Sequence, residues 1–175
     1  MLGRPCSAQH TIHMRYAWQI VDTAFELLRD EPTLVPVHVA PTKHITVCGD
    51  VHGQFYDLLN IFAINGMPSE DNPYVFNGDF VDRGSFSVEV VLTLLAFKAA
   101  SAPGAMTMIR GNHESQMMNL MYGFHAEAVT KYGDPLALRF RRLFCHLPLA
   151  ACLNSKVRYN PFLGVPSSRA STVWW

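Results

Sequence analysis

Ile45-Thr46-Val47-Cys48-Gly49-Asp50-Val51-His52-Gly53-Gln54-Phe55 carries the first complete turn of the fold. The run Ile45–Cys48 is β-branched and apolar, as a short buried strand requires. Gly49 to Gly53 turns the chain. Between Gln54 and Asn65, Phe55, Leu58, Leu59 and Phe62 fall at i, i+3, i+4 and i+7, the apolar stripe of a helix that Gly66 and Pro68 stop. The pattern then repeats. Asp71-Asn72-Pro73 leads into a strand at Tyr74-Val75-Phe76, closed by Gly78-Asp79-Phe80-Val81-Asp82-Arg83-Gly84 and followed by a helix from Ser85 to about Ala99 that is apolar on most sides. Pro103-Gly104 precedes a third strand, Met106–Ile109, closed by Gly111-Asn112-His113-Glu114. Strand and helix in alternation predict an α/β fold whose strands run parallel through right-handed helical crossovers. In such sheets ligands gather at the carboxyl ends of strands, where all three closing phrases lie.

Working outward, Ile12, Tyr16, Ile20, Ala24 and Leu28 recur every fourth residue and predict a helix over His10–Asp30 with that stripe inward. Pro32, Pro36 and Pro41 predict an extended, exposed connection. Helical patterns over Asn119–Lys131 and Leu136–His146 complete the folded part. Met106, Met108, Met117, Met118 and Met121 read as fillers of core gaps. His10, His13, His38, His44, His125 and His146 have no ligand-like spacing.

At 175 residues the chain fits one domain with a real core. Its 14 basic and 14 acidic residues cancel, so no polyanion such as nucleic acid is expected as the main partner. The apolar run Val90–Phe97 is far short of the ~20 residues that span a bilayer, and no apolar stretch follows Arg4 to make a secretory signal. Cys6, Cys48, Cys145 and Cys152 lack paired spacing and read as small buried hydrophobes of a reducing compartment, cytoplasm or nucleus.

The three closing phrases carry the chemistry. Asp50 and His52, two apart on an extended turn, can face the same side. Asp79 comes from the neighbouring strand end with two oxygens, and Asn112 offers a neutral one. Carboxylate and imidazole together suit a divalent ion such as manganese, iron or zinc. Arg83 and Arg110 match phosphate oxygens. His113 can donate a proton near neutral pH, with Asp82 to orient it. Taken singly, each phrase has an ordinary use: a turn, a surface ion pair, a helix N-cap. Their joint arrangement at three consecutive strand ends is what points to metals and a phosphate.

With the order GDxHG, GDxxDRG and GNHE, the chain resembles the phosphoprotein phosphatase family of metal-dependent serine/threonine phosphatases, and His44–Lys98 is most similar to its type-five branch. The resemblance implies the N-terminal half of a calcineurin-like metallophosphatase β-sandwich flanked by helices. It implies that Asp50, His52 and Asp79 hold a first divalent ion, and that Asp79 and Asn112 begin a second site. His113 would be the general acid oriented by Asp82, with Arg83 and Arg110 binding phosphate. The implied substrates are phosphoserine and phosphothreonine proteins, with regulatory proteins as further partners. In the family, two more histidine ligands come from strands beyond the segment equivalent to Val157. Here Arg158–Trp175 contains no Asp, Glu, His or Cys. The expectation is a partial catalytic domain over 1–157, a divergent tail over 158–175 outside the fold, an incomplete second metal site and impaired turnover. The alternative is a non-catalytic fragment that binds metal or a protein partner.

Overall fold

The structure, a computed structural model, describes residues 11–159. Its centre is a three-stranded parallel sheet in the order β2-β3-β4, made of β2 (Thr46–Cys48), β3 (Tyr74–Phe76) and β4 (Met106–Met108). The crossovers are α2 (Phe55–Asn65) and α3 (Ser87–Ala100). The parallel α/β core therefore has the form expected of a calcineurin-like metallophosphatase.

Residue alternation along the strands assigns the two faces. Tyr74, Phe76, Met106 and Met108 join the helices in the larger core, with Leu58 and Phe62 of α2 and Val91, Leu94 and Leu95 of α3. Val75 and Ile109 belong to a smaller core with Val37, Ala151 and Leu153, which a second sheet supplies. That sheet has the order β1-β5-β6: β1 (Leu34–Val37) pairs parallel with β5 (Ala150–Leu153), and β6 (Val157–Tyr159) pairs antiparallel with β5. Every residue of β3 is consequently buried. Each such large apolar side chain contributes about 1.5–3 kcal/mol. β6 carries its pairing two residues past the boundary drawn at Val157; residues 160–175 lie outside those described.

Five expectations need correction, the first at the thiols: Cys48 is buried as expected, but Cys145 is exposed and Cys152 half-buried. The helix α1 (Met14–Arg29) forms, but its buried face is Ala17, Val21, Ala24 and Leu28, while Tyr16 is 58% exposed. A strict four-residue spacing drifts about 40° per step around a helix of 3.6 residues per turn, so the true stripe mixes steps of four and three. The proline-marked connection contains β1, and Pro36 is tolerated because β1 is an edge strand. The pattern over Asn119–Lys131 is two helices, α4 (Gln116–Tyr122) and α5 (Phe124–Tyr132), parted by Gly123 at φ 110°. Met106 and Met108 fill the core, but Met117 and Met121 are exposed on α4. The helix α6 (Asp134–Phe144) follows and packs with α1 and α5.

Candidate metal and phosphate site

Past the carboxyl ends of the central strands the backbone stays zipped. The amides of Val51 and His52 donate to the Asp79 carbonyl at 3.0 and 2.9 Å, Gly53 donates to Phe80 O at 2.9 Å, and Gly84 donates to His52 O at 2.9 Å. These bonds hold a backbone that would not adopt its shape alone. His52, Asp79, Asp82 and Arg83 all lie at positive φ, between 44° and 70°. Each costs on the order of 1 kcal/mol for an L-residue. Such strain persists only where the surroundings over-determine it, and here it aims the side chains that the sequence singled out.

Asp50, His52 and Asp79 meet. One ligand atom from each lies within 4.8 Å of the others. His52 Nδ1 donates to Val81 O at 2.8 Å, which leaves Nε2 bare, 3.7 Å from Asp50 Oδ2. Donors on opposite sides of one ion stand about 4.0–4.4 Å apart, so a divalent ion fits with shifts of a few tenths of an ångström. Asp79 is buried and Asp50 is exposed, so one carboxylate is fixed while the other faces solvent. The donor set, two carboxylates and a neutral imidazole nitrogen, suits a divalent transition ion.

The His113–Asp82 pair sits beside it. His113 Nδ1 donates to Asp82 Oδ2 at 2.9 Å, and both side chains are almost fully buried. The His113 backbone amide donates to Asp79 Oδ1 at 2.8 Å, which ties the pair to the Asp50–His52–Asp79 group. The rings of His52 and His113 lie edge to face, with centroids 4.6 Å apart. Arg83 is exposed, with a guanidinium nitrogen 3.5 Å from His113 Nε2. Asn112 is also exposed, in the single 3-10 turn Asn112–Glu114. Arg110 is half-buried: its Nε donates to Glu114 O at 3.1 Å, so part of the guanidinium is already committed.

Three anchoring residues are not singled out by the sequence reading. The Glu114 carboxylate, fully buried, accepts the backbone amides of Asp79, Phe80 and Gly111 at 2.8, 2.8 and 2.9 Å, tying the β3 loop to the β4 loop. Burial and the nearby Asp79 push its carboxyl up to about 8, against the pull of those three donors. Ser87 Oγ accepts the Asp82 amide at 3.1 Å, and Glu127 accepts the amides of Ser87 and Val88 at the start of α3. An acid following Asn-His hints at Glu114. Nothing local marks Ser87 or Glu127, and the bond between them joins positions 40 residues apart.

A family profile described as calcineurin-like phosphoesterase matches residues 43–171, so the match runs past Val157, where the resemblance read from the sequence stops. Serine/threonine-protein phosphatase 5 of Arabidopsis thaliana is 58% identical over 149 residues, covering 85% of this chain and 28% of that protein. Its Homo sapiens counterpart is 54% identical over 149 residues, covering 85% and 30%. A solved protein serine/threonine phosphatase from Saccharomyces cerevisiae superposes with a TM-score of 0.80 at 42% identity, over 83% of this chain and 46% of that one. The type-five similarity of His44–Lys98 is thereby borne out, although the chain spans less than a third of the length of these curated relatives. The matched residues include all three strand ends that converge on Asp79, and this chain belongs to the calcineurin-like phosphoesterase family.

Proposed function

We propose that the chain carries the first half of a protein serine/threonine phosphatase site, acting on phosphoserine and phosphothreonine in protein substrates. The observation that supports it most is the junction of two clusters: Asp50, His52 and Asp79 with ligand atoms within 4.8 Å, and His113–Asp82 joined to them through Asp79. In this reading Asp50, His52 and Asp79 hold a first divalent ion (manganese, iron or zinc), while Asp79 and Asn112 begin a second site that is incomplete in this chain. When bound, a pair of such ions supplies an activated water and neutralises phosphate charge. Arg83 and Arg110 bind phosphate oxygens through guanidinium N–H groups. With the His113 ring doubly protonated, its Nε2–H, on the side of Arg83, passes that proton to the leaving alkoxide, while Asp82 keeps the Nδ1 proton in place on the neutral imidazole that remains. The tail drawn over 158–175 is proposed to be separate from the catalytic unit apart from Arg158 and Tyr159, which pair with β5 as the end of β6, and cytoplasm or nucleus is proposed as the compartment.

A specific observation favours a second reading, a chain that holds one ion without turning over. Among the described residues, Asp50, His52 and Asp79 form the one group of three or more acidic, histidine or cysteine residues with metal-ligand proximity. Metal titration with turnover decides between the two. We expect about one tightly bound manganese per chain, lost in Asp50→Asn, and hydrolysis of a small aryl phosphate well below ~1 per second, the lower end for competent enzymes. Two tightly bound ions, or competent turnover that Asp79→Asn abolishes, would overturn the impaired-site reading. No binding at all would overturn both.

A further inference from the structure

We infer that the α4–α5 turn is a positioning device for the His113–Asp82 pair, with Asn119 and the Phe124 amide as its two contact points. This deepens the proposed function, because it rests on His113 being the proton donor of that site.

The pair is held from a side that the metal cluster does not reach. Asp82 spends one oxygen on His113 Nδ1, and its other oxygen, Oδ1, accepts the Phe124 amide at 2.9 Å. Its rotation is therefore locked at both ends of the carboxylate. On His113, the backbone amide is spent on Asp79, and the carbonyl accepts the Asn119 side-chain amide at 2.6 Å. Asn119 is 5% exposed and sits in the middle of α4, where an asparagine costs helix propensity. Its side chain instead reaches back beyond the Ser115 N-cap to the carbonyl six residues earlier. The Tyr122 ring, near the end of α4, closes the open side of the imidazole, with centroids 5.2 Å apart.

The turn between these contacts is built for the task. Gly123 adopts φ 110° and ψ −12°, ending α4 and starting α5 in one residue, so that the first amide of α5 points at Asp82. A helix N-terminus favours a carboxylate at that place. Nothing lies within 4 Å of a Cβ added at Gly123, so the glycine is there for its backbone angle and not for space. One αL residue thus lets α4 hold His113 while α5 holds Asp82. If either helix shifts, the Nδ1–Oδ2 distance and the direction of Nε2 change together.

The test reads the imidazole and not turnover, so it stands apart from the phosphatase assay. In the full 175-residue chain labelled with nitrogen-15, the His113 Nδ1 proton is identified by its loss in His113→Gln and its solvent exchange is measured by saturation transfer. Asn119→Ala should raise that exchange roughly fivefold to tenfold, the factor that loss of one net hydrogen bond gives, and shift the Nδ1 resonance. The Val75 and Phe76 amides of β3 should exchange as before. Gly123→Ala, which introduces strain without a clash, should raise it by a smaller factor and serves if Asn119→Ala does not fold. An unchanged Nδ1 proton in the folded variants, or a rise matched by the β3 amides, would make Asn119 a merely structural residue and overturn the inference. A neutral His113 imidazole that carries its one proton on Nε2 in the unaltered chain would instead overturn the reading of the pair itself.

Discussion

Among the described residues the central and outer sheets have three strands each, yet they are built to different standards. The central one is covered on both faces: β3 and β4 are buried throughout, and their ends are locked by backbone bonds and a buried carboxylate. The outer one rests on a small core of Val37, Ala151 and Leu153 against Val75 and Ile109, and its first strand contains a proline. All the site chemistry sits on the central sheet. The lesson is physical: holding His52, Asp79, Asp82 and Arg83 at unfavourable backbone angles requires a rigid support, and only the doubly covered sheet provides it.

The most severe way to break that support is at its closest backbone approach. A Cβ at Gly78, which has φ 90°, would overlap the Gly111 main chain. Gly78→Ala is expected to cost more than about 5 kcal/mol and leave little folded protein by circular dichroism. Gly49→Ala, which meets nothing within 4 Å, should stay within about 0.5 kcal/mol. A well-folded Gly78→Ala chain would refute the claim that the two loops interlock.

Packing ranks next. Phe76→Ala, in the fully buried β3, should lose about 4 kcal/mol in urea unfolding, whereas Leu153→Ala in the outer sheet should lose about 2. Equal losses would erase the distinction drawn between the sheets. Glu114→Gln turns a side-chain N–H2 toward backbone donors and leaves buried N–H groups unsatisfied, for about 2–3 kcal/mol. The same substitution should weaken manganese binding, since Asp79 depends on that bridge for its backbone position.

Metal addition sharpens the comparison from the other side. Manganese at ~100 times its dissociation constant should stabilise the chain by about 2.7 kcal/mol. The gain should vanish in Asp79→Asn and persist in Arg83→Ala, with thermal unfolding as the measurement. The smallest effect concerns thiols. Burial pushes the Cys48 thiol, at the end of β2, up to about 12, while Cys145 is exposed. Iodoacetamide at pH 8 should modify Cys145 and spare Cys48; modification of Cys48 in the folded chain would mean that β2 opens readily.

The sequence by itself determined the central layer and its chemistry. The strands at Thr46–Cys48, Tyr74–Phe76 and Met106–Met108, with the helices between them, follow from local periodicity and turn residues, which act over a few positions. Glycine–aspartate and asparagine–histidine phrases at their ends named the residues that now meet. Tertiary structure alone decided the rest, for reasons of distance along the chain. β1 exists because Leu34–Val37 pairs with Ala150–Leu153, more than a hundred residues away, and a proline-bearing segment announces no such partner. The inward face of α1 was set by α3 and α6, the elements it packs on. The anchoring roles of Glu114 and Glu127 rest on hydrogen bonds to amides 35 and 40 residues away, while Ser87 and Asn119 bond groups only five and six residues away whose direction the folded loops set. Composition can nominate a carboxylate or an amide for such work, but its partner is chosen by the packing of distant elements, which a local pattern does not encode.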